Sequence, residues 1–240
     1  GNAIGSNITN IALMLGITAL LKPLSIASST LKKEMPVLLL VSLLAVYFLS
    51  DFLLLRQEGI ILIILFFVVL GGLTWMSFNM EKGDLLHSET ESEIPSGVPT
   101  SKAVMWLVVG MILLPLSAHF MVDSAQVIAR YFGLSELVIG LTIIAIGTSL
   151  PELAACIAGV LKNEDDLVLG NIIGSNIFNL LAVLAMPGLI APGVVDENAA
   201  TRDSYVMLGL TVLLVIFSFN LKGSRCINRV EGFCLIACFL

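Results

Sequence analysis

Long apolar stretches separated by short clusters of charge divide this chain. Uncharged or nearly uncharged runs cover 1–21, 35–50, 59–80, 103–122, 137–161, 167–195 and 204–221, with a shorter one at 232–240. A helix that crosses the roughly 30 Å hydrocarbon layer needs about 20 mostly apolar residues. The pattern therefore predicts an all-α polytopic membrane protein, with seven full helices and a stub in one membrane domain.

Laid over each other, residues 1–24 and 170–193 agree at 11 of 24 positions, and the agreement is densest where GNAIGSNITN faces GNIIGSNIFN. The repeat continues beyond the motif. Lys33-Glu34 corresponds to Arg202-Asp203, and Arg56-Gln57-Glu58-Gly59 to Arg229-Val230-Glu231-Gly232, with four extra residues in the second loop. Residues 1–80 thus read as the three C-terminal helices of a first repeat and 103–240 as a second repeat whose last helix is cut. By this reading the chain is an internal portion of a protein of about ten helices, five plus five. Five crossings separate helix 1–21 from its twin 167–190, so the twins run in opposite directions and the repeat is inverted. Inverted repeats are a common plan of secondary transporters, which bind substrate near the midplane between the halves.

Only 12% of residues are charged, against about 25% in soluble domains, and mean hydropathy is +1.02. The net charge of −6 comes largely from residues 81–93, which supply Glu81, Asp84, Glu89, Glu91 and Glu93. The segment 81–102 reads as a solvated acidic linker. Nine Lys and Arg fall in loops on one side of the membrane and three on the other. The positive-inside rule makes the richer side, with the linker, cytoplasmic. No basic cluster suggests nucleic acid. Cys156, Cys226, Cys234 and Cys238 lack CxxC spacing and read as small apolar packing residues. His119, near a predicted helix end, reads as interfacial, His87 lies in the linker, and Asp51, Asp123, Glu136 and Asp203 sit at predicted helix ends.

The candidate chemistry is Gly147-Thr148-Ser149-Leu150-Pro151-Glu152. Glu152 is the only Asp, Glu, Lys, Arg or His between Glu136 and Lys162. An ionisable group at membrane depth is costly and marks function by default; the alternative is a glutamate that only packs helices. Pro151 lacks an N–H and clashes with the Gly147 carbonyl, so the helix should break there. Carboxylate, Thr148 and Ser149 hydroxyls and freed carbonyls make an all-oxygen set suited to calcium or sodium rather than zinc or copper. At about 100° per residue, Asn2, Ser6, Thr9 and Asn10 share one helix face, and Asn171, Ser175 and Asn179 share the matching one, with Phe178 replacing the threonine. Asn7 and Asn176 lie off these faces and are expected to bond neighbouring helices. Gly1/Gly5 and Gly170/Gly174 form GxxxG pairs, expected to permit close helix packing. No Gly-x-Ser-x-Gly elbow accompanies Ser149, so the protein does not read as a hydrolase or any other enzyme.

Gly147–Glu152 followed by Gly170–Asn179 resembles the second α-repeat of the calcium/cation antiporter superfamily, and residues 1–10 resemble the tail of the first. The whole chain is similar to the bacterial inner-membrane sodium/calcium exchanger branch, related to potassium-dependent exchangers. That resemblance implies calcium at Glu152 and Thr148, sodium at Ser149, Ser6 and Ser175, and further ligands at Asn10 and Asn179, positions acidic in some members. It implies transported Ca2+ and Na+ with no cofactor, leaves K+ open, and places a second central carboxylate in a segment before Gly1. The expectation is calcium/sodium exchange by alternating access. Calcium/proton exchange, with Glu152 taking the proton, and a non-transporting membrane scaffold are the alternatives.

Overall fold

The computed structural model describes residues 2–26, 30–78, 99–133, 147, 149–218 and 226–239. Gly1, Thr148, His87, Glu136, linker residues 81–98 and the early part of the predicted helix 137–161 lie outside them.

Among the described residues, helices form in each of the apolar runs. The first half contains α1 (Asn2–Ile8), a π-helical stretch Thr9–Leu15, α2 (Gly16–Leu21), β1 (Leu24–Ser25), a second π-helical turn Thr30–Glu34, α3 (Met35–Leu49), β2 (Leu53–Leu54) and α4 (Arg56–Phe78). Then come α5 (Thr100–Tyr131) and α6 (Leu150–Leu161). The rest is α7 (Asp165–Phe178), a π-helical turn Asn179–Val183, α8 (Ala185–Ile190), β3 (Gly193–Val194), a π-helical turn Ala199–Asp203, α9 (Ser204–Ser218), β4 (Cys226–Ile227) and α10 (Arg229–Phe239). Among the described residues five helical spans are long and apolar enough to cross a membrane, and α3 and α6 are shorter apolar helices.

The repeat is reproduced element by element. Met35–Leu49 recurs as Ser204–Ser218, Gly16–Leu21 as Ala185–Ile190, and Thr30–Glu34 as Ala199–Asp203, each 169 residues on. Past the four-residue insertion, Leu53–Leu54 recurs as Cys226–Ile227 and the start of α4 as the start of α10. Even local bonds are copied: Ser42 donates to the Leu38 carbonyl at 2.8 Å, and its twin Thr211 donates to Met207 at 2.9 Å. Both hydroxyls are buried, and bonding back one turn satisfies them without a partner helix.

The halves are interlocked rather than side by side. β1 pairs antiparallel with β4, and β2 with β3, so each two-stranded sheet takes one strand from each half. α2 packs on α10, its twin α8 on α4, and α3 on α9. At these crossings the backbones nearly touch. A Cβ on Gly59 would lie 3.0 Å from Ala185 O, Gly188 C and Leu189 N, and one on Gly232 would lie 3.0 Å from Gly16 O. One core runs through both halves, with Ile11, Leu15 and Leu49 of the first packed with Leu169, Leu180 and Leu214 of the second, all fully buried. By contrast α5 is almost wholly exposed and presents Trp106, Leu107, Met111 and Ile112 outward. An apolar surface of that extent suits a bilayer rather than water.

Three expectations are corrected here. The helix expected over 103–122 runs from Thr100 to Tyr131. Residues 100–102 thus belong to α5 and not to the linker, and Asp123 lies inside the helix, where His119 Nε2 meets its Oδ2 at 3.3 Å one turn away. A single carboxylate did not end the helix because it finds water or a partner on an exposed face. The expected close packing at Gly5, Gly170 and Gly174 is not seen, since a Cβ at any of them would meet nothing within 4 Å among the described residues. The tight contacts belong instead to the crossings around Gly59 and Gly232.

Candidate functional site

The helix break at Pro151 is where the sequence puts it. α6 starts at Leu150 with Pro151 in its first turn, where a missing N–H costs no helical bond. Ser149 is its N-cap residue, yet its hydroxyl makes no capping bond and stays available. Gly147 is helical and lies on the far side of Thr148. Glu152 therefore sits in the first helical turn, where the N-terminal end of the helix dipole favours negative charge.

A cavity of about 470 Å³ opens in front of this turn. Ser149 and Glu152 line one side, Ser6 and Asn10 of the first half another. Gly174, Ser175, Phe178 and Asn179 of the second half complete the wall. One motif from each half and the broken helix thus converge on one space. Glu152 is half-buried, and its Oε2 is buried without a hydrogen-bond partner among the described residues. Unpaired buried carboxylate oxygens are expensive, and a cation is one partner that would relieve that cost.

The predicted stripes divide on closer inspection. Ser6, Asn10, Ser175 and Asn179 face the cavity together. Asn171 does not: its Nδ2 approaches Cys156 Sγ at 3.5 Å, inside the α6–α7 pair. Thr9 donates to the Gly5 carbonyl of its own helix at 3.0 Å and is not part of the wall. The side chain of Asn2 and all of Thr148 lie outside the described residues. Phe178, where the twin has Thr9, borders the cavity and meets Phe66 edge-on with ring centroids 5.7 Å apart.

Asn7 and Asn176 tie the halves together beneath the wall. Asn10 Nδ2 donates to Asn176 Oδ1 at 2.9 Å, and Asn179 Nδ2 donates to Asn7 Oδ1 at 3.0 Å. The sequence reading had these two asparagines bonding neighbouring helices; that their partners are the cavity asparagines of the opposite repeat was not foreseen. The signal was present in the matched spacing, since twins at an inverted junction meet each other. The donors Asn10 and Asn179 themselves lie in the π-helical stretches Thr9–Leu15 and Asn179–Val183. Such π segments are frequent at functional sites. Among the described residues no group of three His, Cys, Asp or Glu side chains could hold a metal ion. The donor set is one carboxylate with neutral hydroxyl and amide oxygens, which suits hard, exchangeable cations.

A sequence profile for the sodium/calcium exchanger protein family matches residues 1–75 and 102–240. The CaxA protein of Alkalimonas amylolytica is 53% identical over 240 residues, covering 100% of this chain and 75% of that protein. The inner membrane protein YrbG of Escherichia coli K12 is 44% identical over 222 residues, 92% of this chain and 68% of YrbG. Among solved structures, the sodium-calcium exchanger NCX_Mj soaked with zero Na+ and Ca2+ superposes with a TM-score of 0.80 at 31% identity, covering 100% of this chain and 73% of that one.

Proposed function

Because this chain belongs to the sodium/calcium exchanger protein family, we propose that it exchanges calcium for sodium across a bacterial inner membrane by alternating access. Ions would bind at the cavity between the two repeats. Glu152, with its neighbour Thr148, takes calcium; Ser149, Ser6 and Ser175 take sodium, helped by the side-chain oxygens of Asn10 and Asn179. The observation that carries this reading is the convergence of Glu152, whose Oε2 is buried and unpartnered among the described residues, with Ser6, Asn10, Ser149, Ser175 and Asn179 on one cavity.

The physical basis of exchange is charge balance. A cavity holding a carboxylate is stable when loaded with one divalent ion or with several monovalent ones, and costly when empty. The protein then crosses between its inward and outward forms loaded, which couples the two fluxes. It is a transporter and needs no cofactor. The two repeats, residues 1–80 and 100–240, enclose the ion site between them, and the acidic segment 81–99 joins them on the cytoplasmic side.

The test is radioactive calcium uptake into proteoliposomes that hold the intact protein, driven in turn by outward sodium, potassium and acid gradients. Sodium-driven uptake is expected, abolished by Glu152→Gln. Undiminished calcium flux in Glu152→Gln would refute the site, and uptake driven by acid alone would replace sodium with protons as the counter-ion.

A further inference from the structure

The four asparagines at the junction of the repeats are twins by position but not by bonding. Asn10 to Asn176 and Asn179 to Asn7 are equivalent bonds. The remaining amide hydrogens break the symmetry. Asn7 Nδ2 donates to the main-chain carbonyl of Asn176 at 3.2 Å, with Met207 sulfur at 3.7 Å from the same nitrogen. Asn176 Nδ2 belongs to a side chain with no exposure and has no partner among the described residues.

A main-chain carbonyl can only accept. It therefore determines which end of the Asn7 amide is nitrogen. Asn7 Oδ1 must then face Asn179, which must answer with Nδ2 and keep Oδ1 for the cavity. Nothing anchors the other pair in this way. If Asn176 turns its amide over, it loses the bond from Asn10 and gains one to Asn10 Oδ1, while its previously unpartnered nitrogen becomes satisfied. Asn10 then turns N–H rather than oxygen to the cavity.

We propose that Asn7 and Asn176 are positioning residues that make the two matched amides of the cavity unequal. Asn179 is held as a fixed oxygen ligand, whereas Asn10 can present either its oxygen or its N–H. The inference rests on the ion-site reading above, because an amide oxygen attracts a cation and an amide N–H repels it. It gives the cavity a means of changing its cation affinity at one wall without moving a helix.

Aspartate substitutions separate the two sides. A carboxylate has no N–H to donate. In Asn10→Asp, the Asn176 amide turns and donates its free nitrogen at no cost in other bonds. In Asn179→Asp, Asn7 could donate only by giving up the Asn176 carbonyl, so two oxygens are left facing each other. Both variants add the same charge to the same cavity, so their difference reports the hydrogen bond. We expect the calcium KM of sodium-driven uptake to be at least tenfold higher in Asn179→Asp than in Asn10→Asp. The calcium-induced rise in melting temperature of the detergent-solubilised protein should fall in the same order. Adding Asn176→Leu to both should erase the gap, because the amide that turns is gone; this double-mutant cycle isolates the coupling. Should an aspartate variant fail to fold, Asn10→Ser and Asn179→Ser serve instead. A hydroxyl both donates and accepts, so these two are expected to differ little from each other. Equal calcium KM values in the aspartate pair, or a gap that survives Asn176→Leu, would overturn the proposal while leaving the ion site intact. Wild-type KM and wild-type calcium stabilisation in both aspartate variants would overturn the ion site itself, and this proposal with it.

Discussion

Gly59→Ala tests the packing that joins the repeats. The new methyl carbon would lie 3.0 Å from three backbone atoms of the opposite helix, Ala185 O, Gly188 C and Leu189 N. Side chains can swing away from such contacts but backbone cannot, so α4 and α8 must separate by a few tenths of an ångström. Overpacking of this kind costs about 1–3 kcal/mol. Against it stands the intrinsic gain of alanine over glycine in a helix, about 0.5–1 kcal/mol. The net loss is about 0–2.5 kcal/mol, centred on about 1 kcal/mol, which corresponds to a fall of roughly 2–4 °C in midpoint for a chain of this size. Gly5→Ala and Gly170→Ala are the controls. Each sits in a GxxxG pair, yet neither methyl would meet an atom within 4 Å among the described residues. These should hold or slightly raise the midpoint. The assay is thermal unfolding of the detergent-solubilised intact protein, followed by loss of monodisperse material. If Gly5→Ala lowers the midpoint as far as Gly59→Ala does, the close crossings have been assigned to the wrong glycines.

Other perturbations probe separate links. Lys22 Nζ bonds Asp165 Oδ1 at 2.9 Å, while Ser25 N and Oγ hold Oδ2 at 3.1 and 2.8 Å. With Lys22 about one-third exposed, losing the charge pair through Asp165→Asn should cost about 1 kcal/mol. Lys22→Met should cost more, because it strands a buried carboxylate; melting midpoints in the reverse order would refute this. Phe178→Thr, which restores the residue of the twin, removes the edge contact with Phe66 and should cost about 0.5–1.5 kcal/mol beyond lost burial. Phe66→Ala should then add little to it in a double-mutant cycle. Burial, with help from Glu231 and Asp165, raises the Cys226 thiol above its ordinary range, against the opposing pull of Lys22. Because the thiolate is the reactive form, maleimide labelling of Cys226 should be slow at neutral pH and still climbing above pH 9; labelling that has levelled off by pH 8 would contradict it.

Much of the architecture was legible because a duplicated chain carries its own alignment. Matching residues 1–24 to 170–193 foretold that helices would recur in register; the π-turns and two-residue strands recur with them but were not expected. Arg56 facing Arg229 located the four-residue insertion correctly. Pro151 marked an expected break within the run 137–161, and α6 begins at Leu150, with the proline in its first turn. The failures came from treating each helix alone. A face counted at fixed angular steps gave Asn171 to the cavity, but the neighbouring helix offers it Cys156 instead. The GxxxG spacing identified small residues without identifying what lies opposite them. The aspartate at 123 looked like a terminus because sequence pattern cannot show that a helix face is open. The asparagine network escaped for the same reason, since its bonds exist only once two distant segments meet.

The two small sheets have a consequence for how such a protein arises. β1 finds its partner in β4 and β2 finds its partner in β3, so neither half can complete its hydrogen bonding alone. During synthesis the first half waits, inserted but unpaired, until the ribosome has delivered the second.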